Sequence, residues 1–223
     1  MFAALFKALN QMPDPAFRQT IARTFLFSLL LFGGLLFGAW WLMAETQLIS
    51  WGWLDAIVDV LGWLAALIAA FVLFPGAALV IISVMLEPVA RAVEAKHYPD
   101  LDPPRHQPVS EAVSIALRFA AIAMLLNLLL LWVYFIPVLN VFVFGALNGY
   151  LLGREYFELI APRRLEPAAI RPMWKRYRGR LWIAGIIITL LLSIPFVNWI
   201  MPVAAAAFML HIFEKLRRQD AAT

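Results

Sequence analysis

Ile136-Pro137-Val138-Leu139-Asn140 lies in the middle of an uncharged stretch that runs from Phe119 to Gly153. The same signature returns later in the chain as Ile194-Pro195-Phe196-Val197-Asn198. That copy sits inside a second uncharged stretch, from Leu181 to Phe213, with His211 counted as neutral. A helix needs about 20 apolar residues to cross roughly 30 Å of hydrocarbon. Each stretch is too long for one comfortable crossing and short for two full crossings with a turn. Proline costs a hydrogen bond inside a helix, and asparagine favours turns and N-caps. Each stretch is therefore predicted to be a helical hairpin bent at its proline. The arm from Leu181 to Ile194 reaches only about 21 Å as a helix, so this hairpin is expected to dip into the membrane and return. The leading arm of the first hairpin has room to begin near Ser110 and reach further.

Two more uncharged stretches precede the hairpins, Thr24 to Ala44 and Val60 to Leu86. Each fits one crossing, with Pro75 expected to kink the second. The N-terminal MFAALFKALNQM lacks the basic region and long apolar run of a signal peptide. Its Phe2, Leu5, Phe6 and Leu9 share one helical face, as in a helix lying in the membrane interface.

The predicted fold is an all-α integral membrane protein, a single membrane domain over 1–223. It comprises an interfacial helix (1–12), two long transmembrane helices (15–44 and 53–97) and two proline-broken, partly penetrating helical hairpins (110–160 and 180–218). A basic connector (167–178) joins the hairpins.

Composition agrees. The chain is 64% hydrophobic and 14% charged, where soluble domains carry about 25% charged residues. There are no cysteines, which excludes disulfides, thiolate metal sites and cysteine nucleophiles. His97, His106 and His211 lie far apart in sequence, so no metal site is expected. The net charge of +4 is read as cytoplasmic loops and anionic-lipid contact rather than nucleic-acid binding.

The charges also predict the threading. None of the 18 lysines and arginines lies in the 45–55 connection, which carries Glu45 and Asp55, and none at either proline turn. If 45–55 is outside and both hairpins return to their starting side, all 18 fall on one face. The positive-inside rule makes that face cytoplasmic, with both termini inside a bacterial inner membrane. Irregular backbone at membrane depth must be covered by protein or line a wet cavity, which argues for a homo-oligomer.

No hydrolase, phosphate-loop, zinc-protease or dinucleotide signature is present, so no enzyme activity and no cofactor are expected. Gly34-x-x-x-Gly38 reads as helix packing. Arg18 and Arg23 follow Asp14-Pro15, a helix start in which Asp14 is the N-cap. A helix start with free backbone N–H groups and an arginine one turn in is an oxyanion site; the same residues also serve as an interfacial anchor. Arg118 enters the third stretch at its boundary, and Asn127 lies well inside it, where polar groups usually face the interior or a cavity. Arg154 and Glu158 are spaced to pair, with Glu155 beside them. Asn140 and Asn198 either cap the returning half-helices or, with those helix N-termini, face an anion. The seven basic residues from Arg163 to Arg180, interrupted by Pro162, Pro167 and Pro172, read as a connector lying on anionic lipid. Glu87–Arg91 and Arg91–Glu94 pairs should hold the end of the second long helix together in water.

The order of motifs resembles the CysZ-type sulfate permeases of the etoposide-induced protein family. The likeness rests on Asp14-Pro15-Ala16-Phe17-Arg18, on Glu87-Pro88-Val89-Ala90-Arg91-Ala92-Val93-Glu94 followed by Tyr98-Pro99, and on the paired Ile-Pro turns with Pro202-Val203-Ala204. Its last element is Asn148-Gly149-Tyr150 through Arg154-Glu155-Tyr156-Phe157-Glu158. The resemblance implies two long helices, two half-penetrating hairpins, a dimer or multiple of dimers, and sulfate uptake for cysteine synthesis. It also implies sulfate binding at a Gly-Leu-Arg-Arg-like stretch at the start of the first long helix. The matching Pro15-Ala16-Phe17-Arg18-Gln19 keeps Arg18 but lacks the glycine and second arginine, with Arg23 further on. The candidate sulfate-binding residues are thus Arg18, Phe17, Gln19 and Arg23. The candidate pathway residues are Asn140, Asn198, Arg118, Asn127, Arg154, Glu155 and Glu158. Sulfite is a second anion candidate, and H+ a coupling ion through Glu155 or Glu158. The competing reading is a non-transporting membrane scaffold or assembly factor.

Overall fold

The computed structural model describes residues 1–44, 60–62, 64, 86–195, 198 and 200–222. Among the described residues every regular element is a helix and there is no strand. The chain divides into two units, one of Met1–Ile21 with Leu86–Thr223, the other of Ala22–Met85. The expected 45–55 connection, most of the second long helix and its Pro75 kink lie outside the described residues; residues 60–62, 64 and 86–97 are helical.

Helix α1 (Phe2–Asn10) turns Ala8 inward and leaves Phe2 and Phe6 exposed. Pro15 opens α2 (Pro15–Ala44) as expected, because its ring presets the helical φ and its missing N–H is unneeded there. Pro15–Gly38 is long and apolar enough to cross a membrane. In the second unit its large side chains, among them Phe25, Leu30, Phe37 and Trp40, are exposed. Nothing described lies within 4 Å of a Cβ placed on Gly34 or Gly38, so their expected packing role is not observed among the described residues.

In the first unit, residues 86–97 (α3) end the second long helix. The first hairpin follows as α4 (Val109–Leu129), a 3-10 turn (Leu131–Phe135) and α5 (Pro137–Ile160). The apolar part of α4, Leu117–Leu129, reaches about 20 Å, short of a full crossing. Pro137 is the first residue of α5 with Ile136 as N-cap, so Asn140 lies inside the first turn. Likewise α7 (Met201–Ala221) has Ile200 as N-cap, and Asn198 precedes it. Neither asparagine caps by side chain. Proline at or next to the first position sets both starts instead.

The basic connector is helical, and α6 (Pro167–Leu192) joins it to the first arm of the second hairpin across a kink. Pro167 sits at the start, where proline is favoured, and Pro172 removes one early hydrogen bond without stopping the helix. The bend falls at Tyr177, with φ −110° and ψ 16°. There the Tyr177 hydroxyl donates to Asp220 at 3.2 Å, and Arg180 donates to Gln219 at 2.7 Å. Beyond the bend, Arg178 to Leu192 reaches about 22 Å, which keeps the partial depth expected of this arm.

Helices α5 and α6 pack antiparallel at very short range. Gly149 and Gly153 of α5 meet Gly185, Leu181 and Ile186 of α6 through backbone contacts that leave no room for a Cβ. Helix α7 packs against α1, α5 and α6 and is buried on nearly every side from Val203 to Glu214. Its Ala204-Ala205-Ala206-Ala207 run permits close approach from several directions.

Polar side chains lock the other end. Arg163, just past α5, grips Glu94 through two bonds of 2.8 and 3.3 Å and also pairs with Glu87. Arg164 pairs with Glu94 at 3.0 Å. Glu87–Arg91 forms at 2.8 Å as expected, but Glu94 turns inward to these arginines instead of to Arg91. Lys96 pairs with Asp14 at 2.9 Å, and Gln11 donates to the Ala92 carbonyl at 3.2 Å, tying α1 and the start of α2 to α3.

Candidate functional site

Helix α5 packs much more closely on α6 than on α4. The gap is an open wedge of about 1100 Å³ between the three helices. Its walls follow helical periodicity: Glu111, Ile115, Arg118 and Ile122 on α4; Val143, Leu147, Tyr150, Arg154 and Glu158 on α5; Arg171, Trp174, Lys175, Arg178 and Trp182 on α6. Along the wedge the lining divides. Toward the proline turns it is apolar, with Ile122, Leu130, Val143 and Leu147; toward the α5–α6 link it carries every charge.

Five cations and two carboxylates face this wedge, a formal net of +3. Both carboxylates are already engaged: Glu158 with Arg154 at 2.8 Å, Glu111 with Arg105 outside the wedge. Arg118, Arg171, Lys175 and Arg178 have no ion-pair partner among the described residues. These four side chains are exposed along the open wedge, where like charges favour a nearby anion. Guanidinium groups offer paired donors of the kind that suit a tetrahedral oxyanion.

The structure brings together Arg118, Arg154 and Glu158 of the expected pathway residues; the Arg154–Glu158 pair is as expected. Glu155 is on α5 but does not line the wedge. Asn127 is exposed, its amide donating at 2.8 Å to the Ala123 carbonyl of its own helix, so it reaches neither interior nor cavity. Asn140 and Asn198 lie at the two turns, away from the wedge.

At the start of α2, Arg18 and Gln19 are exposed, and so is Arg23. Neither arginine has an ion-pair partner among the described residues. Phe17 is fully buried and belongs to the core. The N–H groups of Phe17 and Arg18 donate to the Asp14 carbonyl at 3.0 and 3.1 Å. This helix start therefore has fewer open backbone donors than expected, and Arg18 offers only its side chain. Arg171, Lys175 and Arg178 belong to the basic run that the sequence places on anionic lipid, and they line the wedge although Arg178 follows the Tyr177 kink.

A second titratable cluster joins the end of α3 to α7. His97 and His211, distant in sequence, stack edge-on with ring centres 4.9 Å apart. His211 Nδ1 bonds the Tyr98 hydroxyl at 2.9 Å, and both histidine Nε2 atoms are buried without a partner. No group of three or more metal-ligating side chains forms among the described residues. Burial, then Lys7 and Lys96, lower His97 against the pull of Asp14. Burial, with Glu214 and against Arg218, raises Tyr98. A lowered folded-state histidine pKa means that the unfolded chain binds more protons below the ordinary 6.5. Stability should therefore be level above that value and fall as pH drops below it. Melting temperature against pH checks this: His97→Gln should flatten the acid limb.

No match is found among curated proteins at the level searched. With charge, hairpins and glycine crossing already assigned to named residues, a profile match over residues 4–202 shows that the chain belongs to the sulfate transporter CysZ/etoposide-induced protein 2.4 family.

Proposed function

We propose that this chain is a sulfate transporter of the bacterial inner membrane, a channel or permease rather than an enzyme, that supplies sulfate for assimilation into cysteine. The observation that carries the reading is the set of four cations without carboxylate partners on one cavity. Sulfate is a dianion and sheds water only where charge-assisted donors replace it. Arg118 on α4 and Arg171, Lys175 and Arg178 on α6 supply them, and Arg18 at the start of α2 recruits the ion. With the positive face cytoplasmic and both termini inside, the charged end of the wedge opens to the cytoplasm and its apolar end points to the proline turns. Flux is passive or coupled to H+, with Glu158 and Glu155 as the carboxylates beside the path. Trp132 and Phe135, highly exposed at the first turn, favour a homo-oligomer, a dimer or multiple of dimers, that covers them.

Uptake of labelled sulfate into proteoliposomes tests the reading. Saturable flux competed by sulfite is expected. Arg171→Gln with Arg178→Gln should lower it at least tenfold, since each charge-assisted contact contributes about 1.5–3 kcal/mol, and Arg18→Gln should lower it less. An intact oligomer that carries no sulfate would instead be a scaffold.

A further inference from the structure

The wedge is far larger than sulfate requires. At about 30 Å³ per water, its 1100 Å³ would hold roughly 35 waters, and a five-atom oxyanion displaces few of them. That volume lies just above the roughly 300–1,000 Å³ range typical of pockets for organic ligands. Its end toward the proline turns is also the wrong chemistry for sulfate, because Ile122, Leu130, Val143 and Leu147 offer an anion nothing. The Trp182 indole, its N–H donating at 2.9 Å to the Ala146 carbonyl, stands near the border between the two halves, where tryptophan in membrane proteins marks the headgroup level.

We propose that this wedge binds an anionic phospholipid, with the phosphate on Arg118, Arg171, Lys175 and Arg178 and an acyl chain along the apolar end. The charge, the sequence of polar then apolar lining, and the position between membrane-embedded helices all match that ligand and no smaller one. Basic pockets between such helices on the cytoplasmic side suit anionic headgroups. The lipid completes the gap that α4 leaves by standing away from α5. Because its phosphate uses the same cations, it competes with sulfate and sets how many sites are open. The lipid site rests on the four cations and not on transport: a scaffold with the same wedge would also bind it.

Native mass spectrometry of the delipidated full chain tests this, with phosphatidylglycerol, phosphatidylcholine of matching chains, and inorganic phosphate as probes. Phosphatidylglycerol should bind at least tenfold more tightly than either of the others. Arg171→Gln with Arg178→Gln should remove its advantage over phosphatidylcholine. Val143→Asn should weaken phosphatidylglycerol but leave inorganic phosphate unchanged. On the wild-type chain, millimolar sulfate should displace phosphatidylglycerol. Equal binding of the two lipids would overturn the proposal. So would inorganic phosphate as tight as phosphatidylglycerol, which would leave a free-anion site. Lipid binding without sulfate flux would sink the transport reading and leave this one standing.

Discussion

Gly185→Ala is expected to leave little folded protein. A Cβ at Gly185 would overlap the carbonyl oxygen of Gly149 and lie 2.5 Å from the nitrogen and 2.7 Å from the Cα of Gly153. All three are backbone atoms of α5, so no rotamer change relieves the clash; α5 and α6 must separate. Separation uncovers the inner faces of both hairpins, and the cost should reach or exceed the roughly 3 kcal/mol at the upper end of ordinary overpacking. Gly153→Ala, which meets the Leu181 backbone, should be nearly as damaging. Gly149→Ala should be milder, because its nearest obstacle is the movable Cγ1 of Ile186. Gly145 lies in the same helix with nothing within 4 Å, so Gly145→Ala should be neutral or stabilise by about 0.5–1 kcal/mol. Thermal unfolding in detergent, followed by tryptophan fluorescence, should rank the four variants in that order.

Arg163→Leu should be the most damaging single change outside the glycine crossing. Arg163 and Glu94 are each about 8% exposed, and the guanidinium holds both carboxylate oxygens. Removal of one partner from a buried pair costs about 3–5 kcal/mol, because the other charge stays buried. Arg164 remains on Glu94, which puts the loss near the lower figure, a fall in Tm on the order of 10 °C. Arg163→Leu with Glu94→Leu should recover most of that loss, since a buried pair contributes little beyond an apolar pair of similar size. A double variant as unstable as the single one would show that Arg163 acts through Glu87 instead.

The proline turns, the N-terminal helix, the start of α2 and the Arg154–Glu158 pair were readable in the sequence because each depends on neighbours within a few positions. What escaped depends on distant partners or on context. Pro167 and Pro172 look like breakers in a basic run, yet one begins a helix and the other costs a single hydrogen bond, so α6 continues through both. Arg171 and Lys175 before the Tyr177 kink and Arg178 after it then line one cavity with Arg118. The glycines of α5 and α6 match only when the antiparallel register is known, whereas Gly34 and Gly38 carry the familiar spacing and pack nothing described. Asn127 was placed in a cavity by its depth along the chain, but its amide bonds its own helix. Glu94 was assigned to Arg91 by spacing and is taken by arginines far along the chain.

Titration of sulfate onto the purified chain tests the central claim most directly, that the cations of α4 and α6 form an oxyanion site. Saturable, salt-sensitive binding is predicted, weakened at least tenfold by Arg118→Gln or Arg171→Gln in protein that still melts cooperatively. Binding of equal strength in those variants, or none in the wild-type chain, would contradict it.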